Sequence, residues 1–158
     1  MPSGPFAHIC FLVKNLDAAI EKWTTILGVL DPGQLERKIV RYDDFTGGDD
    51  RMRWATFVSD HGAEIQLMEP GPATPLYKRL EKLGDHCHHV CFTTEDVEGS
   101  LAALRDKGIQ TVGDVSRDET MPWQEWGWVS HKDANGLLIE VAKPYRTKDD
   151  GKWYAASS

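Results

Sequence analysis

Two histidines and two polar positions recur in pairs along the 158 residues. His8 opens the segment His8-Ile9-Cys10-Phe11-Leu12-Val13-Lys14-Asn15-Leu16. His89 opens its counterpart, His89-Val90-Cys91-Phe92-Thr93-Thr94-Glu95-Asp96-Val97, in register without a gap. Gln66 lies four residues after Gly62 and four before Pro70, and Glu140 lies four after Gly136 and four before Pro144. The four are therefore equivalent two by two. Neutral imidazole, amide oxygen and carboxylate form a mixed nitrogen and oxygen donor set, which suits one divalent ion such as Co, Ni, Zn, Mn or Fe and argues against a structural thiolate zinc site. Glu140 stands among Leu137, Leu138, Ile139 and Val141, where a carboxylate is costly unless it is paired or bound to a metal.

Other residues could join this chemistry. Glu64 lies two residues before Gln66, on the same strand face, and reads either as a general base or as a ligand's neighbour exposed at the rim. Asp49, in Gly47-Gly48-Asp49-Asp50, reads as a solvated loop residue or a catalytic acid. Trp123, Trp126 and Trp128 form either plain core or the substrate-binding wall of a pocket. Alternation turns His88 to the face opposite His89, as a packing or supporting residue, and puts Cys87 and Cys91 on the face of His89. Cys10 and Cys91, at paired repeat positions, read as small core residues.

Positioning these groups requires strands and helices in a repeated order. His8, Cys10 and Leu12 share one strand face, leaving Ile9, Phe11 and Val13 to pack on a helix. Amphipathic helices follow, carried by Leu16, Ile20, Trp23 and Leu27 and by Val97, Leu101 and Leu104. Asn15 and Asp96 are their N-caps, Gly28 and Gly108 their stops. Strand-like stretches at 53–58, 63–69, 126–130 and 137–143 complete each copy as strand, helix and about three strands. The expected organisation is a first module at 5–70, a linker helix at 71–85 striped by Leu76, Tyr77, Leu80 and Leu83, a second module at 86–145, and a loosely held polar tail at 146–158. Trp153 and Tyr154 of that tail could dock on a neighbour.

Composition narrows the setting. No apolar run approaches the roughly 20 residues of a membrane span, and Met1-Pro2-Ser3-Gly4-Pro5 lacks the features of a signal peptide. Three cysteines at spacings that match no disulfide framework fit a reducing compartment, so a cytoplasmic location is expected. A net charge of −7 without a basic, aromatic-rich run excludes a nucleic-acid surface.

His8-Ile9-Cys10-Phe11, Gln66-Leu67-Met68-Glu69-Pro70, His88-His89-Val90-Cys91-Phe92 and His131-Lys132-Asp133-Ala134-Asn135-Gly136-Leu137-Leu138-Ile139-Glu140 together carry a resemblance to the vicinal oxygen chelate superfamily (glyoxalases, bleomycin-resistance proteins and dioxygenases). The ligand order His, Gln, His, Glu is most similar to methylmalonyl-CoA epimerase-like members. The resemblance implies an α+β fold, two βαβββ modules forming an open barrel around one metal site, with His8, Gln66, His89 and Glu140 as ligands. It further implies a homodimer and a small-molecule substrate chelated through adjacent oxygens. An isomerase or epimerase would then act by alpha-proton abstraction and a metal-stabilised enolate, with Glu140 doubling as base and Glu64 or Asp49 on the opposite side. Two departures are visible: Asp49 stands where the epimerases carry a glutamate, and the tryptophans of Met121-Pro122-Trp123-Gln124-Glu125-Trp126-Gly127-Trp128 replace smaller, more polar residues. Competing expectations are a glyoxalase-like lyase, whose second ligand is usually Glu, an extradiol-type dioxygenase needing only two histidines and a glutamate, and a metal-free resistance protein stacking a flat ligand on the tryptophans. A CoA ester would meet positive charge only at Arg51, Arg53, Lys78, Arg79 and Lys82 near the expected mouth, so steering would be weak.

Overall fold

Single side chains start the helices. Asn15 Oδ1 accepts from the Ala18 amide at 2.9 Å and Asp96 Oδ1 from the Gly99 amide at 2.8 Å, each satisfying an amide that the first helical turn leaves without a partner. The computed structural model describes residues 4–43 and 49–157, so Gly47 and Gly48 of the expected Asp49 loop lie outside the described residues. Its elements are β1 (Phe6–Leu12), α1 (Leu16–Leu30), β2 (Val40–Asp43), β3 (Met52–Phe57), β4 (Glu64–Pro70), α2 (Pro75–Leu83), β5 (His86–Thr93), α3 (Val97–Asp106), β6 (Thr111–Asp118), β7 (Met121–Val129), β8 (Leu138–Ala142), β9 (Tyr145–Thr147) and β10 (Trp153–Ala155).

The fold is α+β, built from two βαβββ modules. Eight strands form one sheet in the order β2-β3-β4-β1-β5-β8-β7-β6. Each module's first strand runs parallel to its last, β1 with β4 and β5 with β8, and the two first strands meet antiparallel at the centre. Strands β2 and β6 remain as separate edges, so the barrel is open.

The helices cover one face of the sheet. Leu16, Ala19 and Leu27 of α1 pack with Val13, Ala55, Phe57 and Leu67, with Phe11, Ile20 and Trp23 against them. Val97 and Leu101 of α3 pack with Val129 and Val141. A Cβ on Gly127 would lie 2.5 Å from Leu101 Cδ1, so the glycine between Trp126 and Trp128 lets α3 approach β7 closely.

Two expectations are corrected. Helix α1 does not stop at Gly28: it runs to Leu30, where the Asp31 amide still bonds Leu27 O at 2.8 Å, and Pro32 then disfavours a further helical residue before it. The tail after Pro144 is not loose. It folds back as the β9–β10 hairpin, because Tyr145 and Trp153 stack at 4.2 Å and 18° and bury apolar surface on the face opposite the helices. No helix among the described residues is long and apolar enough to cross a membrane.

Candidate metal centre

Strand register arranges the sheet's helix-free face as two rows. One row reads Glu64, His8, Cys91, Glu140, Trp128 across β4, β1, β5, β8 and β7; the other reads Thr56, Gln66, Cys10, His89, Leu138 across β3, β4, β1, β5 and β8. The rows are related by the repeat: His8 matches His89, Glu140 matches Gln66, and Trp128 matches Thr56. Paired residues on neighbouring strands share a face, so all four expected ligands lie together on it.

Three of them touch. His8 Nε2 lies 3.0 Å from His89 Nε2, and Glu140 Oε2 lies 3.4 Å from His8 Nε2 and 3.2 Å from His89 Nε2. All three are at least nine-tenths buried. Gln66 is buried too, two residues along β4 from Glu64, and among the described residues no hydrogen bond joins it to the other three. The Cys91 sulfur and the His8 and Glu140 donors lie within 4.8 Å of one another. Burial drives the Cys10 and Cys91 thiols upward, so they stay protonated and supply packing rather than thiolate.

Electrostatics sort the remaining groups. Burial pushes Glu140 upward, but hydrogen bonds from His8 and His89 outweigh it and hold the carboxyl at about 2, ionised. Burial lowers His8, keeping its ring neutral. Metal bonds of about 2.0–2.2 Å to nitrogen and oxygen require neighbouring donors about 3.0–3.5 Å apart, which the observed 3.0, 3.2 and 3.4 Å satisfy. Two imidazoles and one carboxylate thus fit a divalent cation in spacing and in donor type.

A β-bulge precedes each histidine. Register shifts between Phe6 and His8 on β1, and opposite Cys10 and Phe11 on β5, leave Ala7 and His88 as the extra residues. The expectation that His88 faces away from His89 is thereby corrected: the bulge re-aims its ring, and His88 Nδ1 lies 2.8 Å from His89 Nδ1. Cys87, expected on the face of His89, pairs instead with Phe11, a helix-facing position. Burial lowers His88 to about 4, so its ring is neutral, and its Nδ1 can accept from or donate to His89 Nδ1 according to tautomer.

Glu64 is not at the rim. It is fully buried, its Oε2 accepts from Thr147 Oγ1 at 3.4 Å, its Oε1 has no hydrogen-bond partner among the described residues, and burial raises the carboxyl to about 7. Asp49 lies in a turn beyond the end of β4, its side chain exposed and its carbonyl accepting from the Ala73 amide at 2.6 Å. The tryptophans divide. Trp128 stands edge-on to His89 at 5.2 Å, whereas Trp123 and Trp126 pack with Trp153 on Ala7, Cys91, Ala142 and Tyr145. Arg53, expected at the mouth, pairs with Glu69 and Asp17 on the helix side, and Arg79 donates to His86 at 3.3 Å.

Sequence reasoning missed Tyr145, whose Oη lies 2.5 Å from His8 Nδ1. The available signal was the aromatic pair Trp153 and Tyr154 in an otherwise polar tail.

Residues 7–124 match the family model described as the glyoxalase/bleomycin resistance protein/dioxygenase superfamily. The chain is similar to the uncharacterised protein YqjC of Bacillus subtilis, 28% identical over 89 residues; the match spans 56% of this chain and 63% of that relative's own length. Among solved structures it is similar to methylmalonyl-CoA epimerase from Mycobacterium tuberculosis, with 24% identity, a TM-score of 0.64 and coverage of 91% and 92% of the two chains. It is also similar to methylmalonyl-CoA epimerase from Streptomyces coelicolor in complex with 2-nitronate-propionyl-CoA, with 26% identity, a TM-score of 0.63 and coverage of 89% and 96%.

Proposed function

The chain belongs to the glyoxalase/bleomycin resistance protein/dioxygenase superfamily, and on that premise we propose that it is a divalent-metal-dependent isomerase or epimerase that moves a proton on the carbon beside a substrate carbonyl. His8, Gln66, His89 and Glu140 hold the ion in this reading. One observation carries it: the buried contact of His8, His89 and Glu140 at 3.0–3.4 Å, with Gln66 at the position that the repeat assigns to a fourth ligand. The likeness to methylmalonyl-CoA epimerases supports the reaction class.

When bound, the ion supplies Lewis acidity to adjacent substrate oxygens, which acidifies the neighbouring carbon. The protein supplies the proton acceptors. Glu64 and Glu140 flank His8 and Cys91 in one row, and in this reading they are the two groups that take and return the proton. The exposed turn carrying Asp49 gives that residue no comparable placement. Trp128 and the β9–β10 hairpin pack against the two histidines on the same face.

Two competing readings gain no support from the geometry. Trp123 and Trp126 are half-buried and pack against Ala7, Cys91, Ala142 and Tyr145 rather than standing free as a stacking platform. In the proposed reading Gln66 serves as a fourth ligand, at a position that an iron-dependent dioxygenase would leave open.

The test is deuterium exchange at the alpha carbon. Wild-type protein reconstituted with Co, Ni, Zn, Mn or Fe in deuterated water, and offered acyl-CoA esters and smaller 2-hydroxy and 2-keto acids, is expected to wash deuterium into at least one substrate in a metal-dependent way. A metal-loaded protein that exchanges none of them would overturn the proposal.

A further inference from the structure

The two histidines are equivalent in the repeat, but their outer nitrogens are not held alike. On β5 the bulge residue before the histidine is itself a histidine, and His88 Nδ1 meets His89 Nδ1 at 2.8 Å. On β1 the bulge residue is Ala7, which carries no polar group. Ala7 is buried against Tyr145, and the Tyr145 hydroxyl reaches His8 Nδ1 at 2.5 Å. A phenol from the C-terminal hairpin thus stands where the second module uses its own chain, and the small side chain of Ala7 makes room for it.

Resting on the metal-site reading above, we infer that Tyr145 is a positioning residue for His8, and that the β9–β10 hairpin is an integral part of the centre. His8 can give Nε2 to a metal only as the Nδ1–H tautomer, because each neutral ring has one proton and the donor nitrogen must keep its lone pair. Tyr145 Oη accepts that Nδ1 proton, which fixes tautomer and ring plane together. His88 does the same for His89 through its own Nδ1 lone pair.

The hairpin is braced for this role at three points. The Trp153 ring stacks on Tyr145 at 4.2 Å and sits 5.7 Å from the His8 ring. Thr147 Oγ1 donates to Glu64 Oε2 of the first module at 3.4 Å. At the hairpin turn Gly151 has φ 83°, and a Cβ there would fall 2.6 Å from Arg41 O on β2. The segment leaves β8 in the second module and presses on β1, β4 and β2 of the first, so Tyr145 is anchored from both halves.

Tyr145→Phe tests the inference, because it removes one oxygen and keeps the ring that stacks on Trp153. Affinity for Zn(II) or Co(II), measured by competition with a chromophoric chelator, is expected to fall about 10- to 100-fold, the usual cost of removing a ligand's hydrogen-bond partner. Tyr154→Phe removes a hydroxyl of the same hairpin that, among the described residues, bonds Asp150 alone, and its affinity is expected to stay at the wild-type value. In the Zn(II)-loaded wild type, the His8 Nδ1 proton is expected as a slowly exchanging NMR resonance, absent from Tyr145→Phe. Affinity for Tyr145→Phe equal to wild type overturns the inference. If that variant does not fold, the wild-type resonance decides alone, and a fast-exchanging His8 Nδ1 proton overturns it. A wild type that takes up no ion overturns the metal-site reading itself, whereas tight binding that ignores the Tyr145 hydroxyl overturns only this inference.

Discussion

Glu140→Ala is expected to weaken divalent-ion affinity by at least about 100-fold, since partners one shell further out are already worth 10- to 100-fold. The carboxylate contacts both imidazole Nε2 atoms at 3.4 and 3.2 Å, and in the protein-only donor set it carries the negative charge. Glu64→Gln is expected to behave differently. Affinity should stay within a few-fold, while alpha-carbon exchange by the loaded protein falls about 10²- to 10⁴-fold, the range for a lost general base. The near-isosteric amide keeps an acceptor for Thr147. Chelator competition and deuterium incorporation, measured on the same two variants, separate ligand from base. Unchanged exchange in a metal-loaded Glu64→Gln protein would remove Glu64 from the mechanism.

Leu67→Ala is expected to destabilise the fold by about 2–5 kcal/mol. Leu67 is fully buried between α1 and the sheet, with Phe57, Ala55 and Leu27 around it. Against a total of about 5–15 kcal/mol for a typical domain, such a loss is visible in any denaturant titration. The residue also bears on the site, because its side chain pins the helix-facing side of the strand whose other side presents Glu64 and Gln66. Val29, at 79% exposure on α1, provides the contrast: Val29→Ala should stay within about 0.5 kcal/mol. Equal midpoints for the two variants would mean that Leu67 does not sit in the packed layer.

The repeat made most of the centre legible. Period-two alternation puts His8, Gln66, His89 and Glu140 on one face and Ile9, Phe11 and Val13 on the other, because every second side chain of a strand shares a face. Alternation failed where the strands break it. Bulges add a residue without a composition signal of their own, so alternation points His88 away from His89 whereas the structure turns it toward that ring. The β9–β10 hairpin was hidden for another reason. Its strands are three residues each, too short for periodicity, and they are held by Tyr145 and Trp153 stacking on each other and by the Tyr145 hydroxyl meeting His8, 137 residues away in the chain. Once the hairpin is in place, the burial of Glu64 and the packing of Trp123 and Trp126 against Tyr145 and its neighbours follow from it. Arg53 was misplaced because a charged residue next to a sheet reads equally well on either side until its partners Asp17 and Glu69 are known.

Metal content of the purified protein, determined by mass spectrometry after reconstitution and removal of free ion, tests the central claim most directly. Wild type is expected to retain about one divalent ion per chain, and a His8→Ala, Glu140→Ala double variant almost none, because a single imidazole and an amide cannot hold an ion against buffer. Wild-type protein that retains no ion, or a double variant that retains as much as wild type, would contradict the account.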